Sequence, residues 1–212
     1  MKLKDLNMPV IQLAVDLTDM DQINELFYKL HPMPDRVIVE AGTPLIKKYG
    51  IDIVRKLKEI SGGAFIVADL KTLDVGSLEV AIAAEGGADA AVVAGLAPVE
   101  TIESFIKECR RRGLVSFVDN LGNTGFGPVL KKLENSPDVL VFHRGIDEED
   151  GHRERVIENV SGPMRAIAGG LTANEITSIP GFDIYIVGRY VTNSSDPKGA
   201  TISLLQALKN QS

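Results

Sequence analysis

In FIVADLKTLDVGS, residues 65–77, an apolar run breaks off and delivers Asp69, Lys71 and Asp74 within six residues. Two carboxylates and an ammonium so close together admit two readings. One is a strand leaving the core, with a solvated ion pair worth under about 1 kcal/mol. The other is a reactive centre, and the neighbouring apolar runs decide between them. Those runs end in Asp16, Glu40, Asp119 and His143, and in the glycine turns Gly169–Gly170 and Gly188–Arg189. Simple strand caps would mix Ser, Thr and Asn with the acids, whereas four of the first five runs end on a carboxylate.

Carboxylates gathered at one place repel unless a cation compensates them. Lys71 supplies one positive charge, and a divalent ion supplies two. An oxygen-rich pair such as Glu40 and Asp69, with positions left for water, suits Mg2+ or Mn2+ better than zinc. His143 ends its run among these acids, where an imidazole that titrates near neutrality suits acid/base work. His31 and His152 fall in loops or helix ends and carry no such argument. The two glycine-ended runs, RAIAGGL and IVGRYV, lead into helical starts. Backbone N–H groups at Gly169, Gly170 and Gly188, with the Arg189 guanidinium, are therefore expected to take a phosphate.

These residues need a scaffold that brings eight run ends together. The runs span 10–16, 36–42, 64–71, 89–95, 114–120, 138–145, 165–170 and 183–189. They are nearly continuously apolar, as strands buried on both faces are. Amphipathic stretches alternate with them: MDQINELFYKL, GIDIVRKLKEI, SLEVAIAAEGG, VETIESFIKECRRRG and PVLKKLEN, then KGATISLLQALKN after the last. Eight strand–helix units predict a single (β/α)8 TIM barrel over 1–212, with every reactive residue at the carboxyl ends of the strands. A doubly wound open sheet fits less well, because no Gly-rich dinucleotide turn follows the first run.

Composition narrows the function classes. A net charge of −6 disfavours nucleic-acid partners. The basic cluster Arg110–Arg112 suits a helix C-terminus. No apolar run reaches the roughly 20 residues of a membrane helix, and MKLKDLNMPV lacks a signal-peptide apolar region. The single Cys109 makes no internal disulfide, and a cytoplasmic location is expected.

The sequence Asp69-Leu-Lys-Thr-Leu-Asp74 resembles the D-x-K-x-x-D signature of the orotidine 5'-phosphate decarboxylase suprafamily. VEAGTPLIKKYG, FHRGIDEE and IAGGL are similar to its hexulose-6-phosphate synthase and 3-keto-L-gulonate-6-phosphate decarboxylase branch. The resemblance implies that Glu40 and Asp69 hold magnesium and that Lys71 sits beside the oxygens of an enediolate. It further implies that Asp74 reaches into the partner's site of a homodimer. Asp16, Asp119 and His143 would then line the reacting end, while Gly169, Gly170, Gly188 and Arg189 bind the phosphate of a sugar phosphate. Asp119, Ile146 and Ala168 look like the synthase; Arg144 and Arg189 look like the decarboxylase. NLGNTGFGPVL departs from the synthase pattern. The expected reaction is reversible aldol joining of formaldehyde to D-ribulose 5-phosphate. The alternatives are decarboxylation of 3-keto-L-gulonate 6-phosphate or orotidine 5'-phosphate, or sugar-phosphate binding without turnover.

Overall fold

Eight parallel strands close into a barrel in the order β1 to β8 in a computed structural model that describes residues 3–122, 126, 130–143 and 161–211. The strands are β1 Val10–Val15, β2 Val37–Ala41, β3 Ile66–Thr72, β4 Ala90–Ala94, β5 Val115–Asp119, β6 Val139–His143, β7 Met164–Ala168 and β8 Ile184–Val187. Each expected run contains its strand apart from a residue or so at the ends. Two of the ends differ in kind: β7 stops before Gly169, and β8 stops before Gly188. Arg189 opens a helical turn instead of ending a strand.

The helices among the described residues are α1 Met20–Leu30, α2 Thr43–Tyr49, α3 Asp52–Ile60, α4 Gly76–Glu85, α5 Val99–Arg112, α6 Ala173–Ser178, α7 Arg189–Thr192 and α8 Pro197–Lys209. Helix α2 was not expected. It starts directly after β2, with Gly42 as N-cap and Pro44 in the first turn, where a proline's missing N–H costs nothing. Of the stretch PVLKKLEN, residues 131–135 are turn and bend, so no full helix forms over the described part. Among the described residues no helix is long and apolar enough to cross a membrane.

Strand alternation divides the apolar residues into two layers. Val10, Ile38, Phe65, Val67, Val92, Phe117 and Val141 fill the barrel interior, while Ile11, Leu13, Val39, Ile66, Val118 and Leu140 pack outward against the helices. Asp16, Glu40, Asp69, Lys71, Asp119 and His143 share the parity of the interior set, so the pleat aims all six inward at the mouth.

The opposite rim is clasped by aspartates. Asp89, Asp138 and Asp183 each precede an even-numbered strand and accept from the backbone N–H of Ile66, Ser116 and Arg165 respectively, each at 2.8 Å. Lys58 adds an ion pair to Asp89 at 2.8 Å, and Ser116 Oγ donates to Asp138 at 2.7 Å. Between β1 and β2 the polarity reverses, with Arg36 Nε donating to the Pro9 carbonyl at 2.9 Å.

Candidate active site

The carboxyl ends of the strands surround a cavity of about 650 Å3. Its lining includes Asp16, Glu40, Asp69, Lys71, Asp119, His143, Gly169, Gly170, Gly188 and Arg189. Every expected site residue but one is therefore on one wall or another of the same space. The exception is Asp74, which is exposed outside its own chain's cavity, its carboxylate accepting from the Val75 N–H at 2.7 Å. Arg144, Ile146, His152 and most of NLGNTGFGPVL and FHRGIDEE lie outside the described residues.

Strand β3 is irregular where it carries the reactive groups. Its register against β4 shifts between Ala68 and Thr72, and Lys71 has a φ of 48°. A non-glycine residue in that left-handed region is strained. The distortion leaves Lys71 Nζ 2.8 Å from Asp69 Oδ2 and 3.0 Å from Asp119 Oδ2. His143 Nδ1 lies 2.8 Å from the same Asp119 oxygen. A continuous chain of charge results, running from β3 through β5 to β6.

Burial opposes this many charges, and each group responds differently. Burial would lower the Lys71 ammonium, but Asp69, Asp119 and Glu40 outweigh it and hold the amine well above its usual range, fully protonated. Burial would likewise raise Asp119, yet the His143 hydrogen bond and Lys71 keep it below the ordinary carboxylate range. Asp16 is raised, by burial first and by Asp69 second. Glu40 is pushed up to about 8, again by burial and then by the Asp69 charge.

The raised Glu40 bears on whether the site suits a cation. Two acids that share a buried pocket resist joint ionisation, and a divalent ion removes the conflict. No group of three or more His, Cys, Asp or Glu side chains is arranged as a metal cage among the described residues. Glu40 and Asp69 alone therefore fit Mg2+, which binds through one or two carboxylates and keeps water or substrate oxygens.

Several residues that sequence reasoning missed hold these groups in place. Thr43 Oγ1, at the start of α2, donates to Asp69 Oδ2 at 2.8 Å. Gln12 Nε2 donates to Glu40 Oε2. Asn120 Oδ1 accepts from the His143 N–H at 2.7 Å. Gly42 leaves room for a carboxylate, because a Cβ there would stand 2.1 Å from Asp16 Oδ1. Gln12 was visible as the polar break in VIQLAV; Thr43 and Gly42 gave no signal without the helix that follows β2.

Across the cavity the wall changes from acidic to anion-seeking. Gly169 and Gly170 have φ of 107° and 66°, a conformation that side chains rarely adopt and that presents backbone to the cavity. Thr172, which caps α6 through a capping box with Glu175, and Tyr190 line the same side. Arg189 sits with them, within electrostatic reach of Asp16.

The similarities to known proteins agree with this geometry. The chain is 41% identical over 212 residues to the bifunctional enzyme Fae/Hps of Methanocella arvoryzae, covering 95% of this chain and 53% of that protein. It is 40% identical to the corresponding enzyme of Methanoculleus marisnigri, again covering 53% of its length. The chain thus spans about half the length of the curated relatives it matches. Among solved structures, 3-hexulose-6-phosphate synthase from Salmonella typhimurium superposes with a TM-score of 0.85 at 26% identity, covering 96% of this chain and 100% of the other. KGPDC from Streptococcus mutans, solved in complex with a sugar phosphate, shares the fold with a TM-score of 0.82 at 22% identity, covering 96% of this chain and 98% of its own. The model of one family matches residues 9–202, from the first strand into the last helix, and by that match the chain belongs to the orotidine 5'-phosphate decarboxylase / HUMPS family.

Proposed function

We propose that this barrel is a carbon–carbon lyase of the aldehyde-lyase type that joins formaldehyde to D-ribulose 5-phosphate, reversibly, as a 3-hexulose-6-phosphate synthase does. The observation that carries the reading is the placement of Asp119 between Lys71, at 3.0 Å, and His143, at 2.8 Å. One carboxylate thereby ties a fixed positive charge to a proton carrier.

The residues divide the work as follows. Gly169, Gly170, Gly188 and Arg189 hold the substrate phosphate, so the sugar extends across the cavity toward the acids. A proton leaves carbon 1 of the pentulose, and the charge that develops on the enediolate oxygens is met by the Lys71 ammonium, preorganised by its carboxylates. Bound by Glu40 and Asp69, Mg2+ or Mn2+ would supply further positive charge for those oxygens. Carbon 1 then bonds to the carbonyl carbon of formaldehyde, and the new alkoxide takes up a proton. His143, oriented by Asp119 and Asn120, moves protons at its imidazole, and Asp16 remains available beside it.

A homodimer with shared sites belongs to the same proposal. Leu73, Val75, Leu78 and Ile82 are exposed apolar side chains around Asp74 on the β3–α4 turn and α4. A second copy covering that face would bring Asp74 toward its partner's cavity. Free, buried Cys109 is in keeping with a cytoplasmic setting.

The test is formaldehyde consumption by the purified chain. Loss of formaldehyde only when ribulose 5-phosphate and Mg2+ are both present supports the synthase. No loss under those conditions rejects it. CO2 release from 3-keto-L-gulonate 6-phosphate favours the decarboxylase, and calorimetric binding without turnover favours a sugar-phosphate binder.

A further inference from the structure

Gln12 is out of place by composition. The interior side chains around it, such as Val10, Ile38, Val67, Val92 and Phe117, are apolar. Gln12 itself is fully buried at 0% exposure. Its amide is only half used: Nε2 donates to Glu40 Oε2, while Oε1 has no hydrogen-bond partner. An unpaired buried carbonyl costs about 1–3 kcal/mol. A methionine or leucine would fill the same volume without that cost, so packing does not account for a glutamine.

Glu40 accounts for it. In the β1–β2 register Gln12 pairs with Ile38 and Ala14 pairs with Glu40, so the Gln12 side chain reaches up and across one step to the carboxylate. A glutamate has several rotatable bonds, and a donor on one oxygen selects among its orientations. We propose that Gln12 is a positioning residue whose amide fixes the Glu40 carboxylate in the orientation that binds a divalent cation jointly with Asp69. The inference rests on Glu40 and Asp69 being cation ligands, and outer partners of ligands commonly govern 10–100-fold in metal affinity.

The test is Mn2+ binding to the whole chain, followed by electron paramagnetic resonance. Gln12→Met is expected to weaken Mn2+ binding about 10–100-fold, while the metal-free thermal midpoint and circular dichroism stay close to wild type. Gln12→Asn, which keeps the amide but falls one methylene short, is expected to weaken binding likewise. In the unmutated chain, the Gln12 side-chain amide resonances are expected to shift on saturation with Mg2+, a readout that does not depend on any variant folding. Wild-type Mn2+ affinity in Gln12→Met, or amide resonances that Mg2+ leaves unmoved, overturns the inference alone. Absence of Mn2+ binding by the unmutated chain overturns the cation site itself and this inference with it.

Discussion

Asp119 Oδ2 accepts from two sides at once, with Lys71 Nζ at 3.0 Å and His143 Nδ1 at 2.8 Å. A single buried carboxylate oxygen therefore sets both the charge next to the substrate and the tautomer of the imidazole. Asp119→Asn keeps the shape and removes the charge. It is expected to lower kcat by about 10^2 to 10^4-fold, the range of a lost acid/base function, with little change in KM. Steady-state kinetics of formaldehyde consumption check this, and unchanged kcat would separate Asp119 from the chemistry.

Lys71→Ala is expected to abolish measurable turnover while the chain still folds. Its thermal midpoint should fall, because Asp69 and Asp119 lose their shared cation and repel. Circular dichroism and the turnover assay together distinguish this from collapse of the barrel. An unfolded Lys71→Ala chain would make the ammonium a structural ion-pair partner.

Arg189→Ala should mainly raise KM, by roughly 10-fold or more, because a phosphate contact serves substrate and transition state alike. Inorganic phosphate should inhibit the wild type and inhibit this variant less. Equal inhibition of both would place the phosphate elsewhere.

Glu40 makes a prediction about pH. Its carboxyl is pushed up to about 8 in the folded chain, by burial and then by Asp69. The folded state therefore holds a proton that the unfolded state releases near its ordinary pKa of about 4.5. Where the folded state binds the extra proton, stability falls as pH rises. The metal-free thermal midpoint should thus decline between roughly pH 5 and 8, and Glu40→Gln should flatten that decline. Mg2+ should raise the midpoint more at high pH than at pH 6, since the proton and the cation compete for the same oxygens.

Much of this site was legible from strand chemistry. Period-two alternation puts Asp69 and Lys71 on one face, and eight apolar runs in sequence imply a closed barrel whose mouth gathers Asp16, Glu40, Asp119 and His143. The groups that were not legible act through close packing between elements distant in sequence. Thr43 meets Asp69 only because a helix starts directly after β2, and Gly42 matters only because Asp16 approaches it from another strand. Asp74 shows the limit differently: its neighbours in the chain place it outside its own cavity, and no local pattern reveals what it faces.

Asp138→Ala is expected to cost about 1–3 kcal/mol of stability, since it leaves the buried Ser116 N–H and hydroxyl without their acceptor. Chemical denaturation measures it, and kcat of the folded variant should stay near wild type. A stability loss under ~0.5 kcal/mol would show that water replaces the clasp.

The aspartate clasps recur at β3/β4, β5/β6 and β7/β8, all at the pole away from the reactive groups. Closure is thus secured where no substrate comes, and the loops at the other pole are released from that duty. Such a division lets side chains at the mouth be exchanged without reopening the cylinder. It offers a physical reason why synthases and decarboxylases can arise on a shared frame.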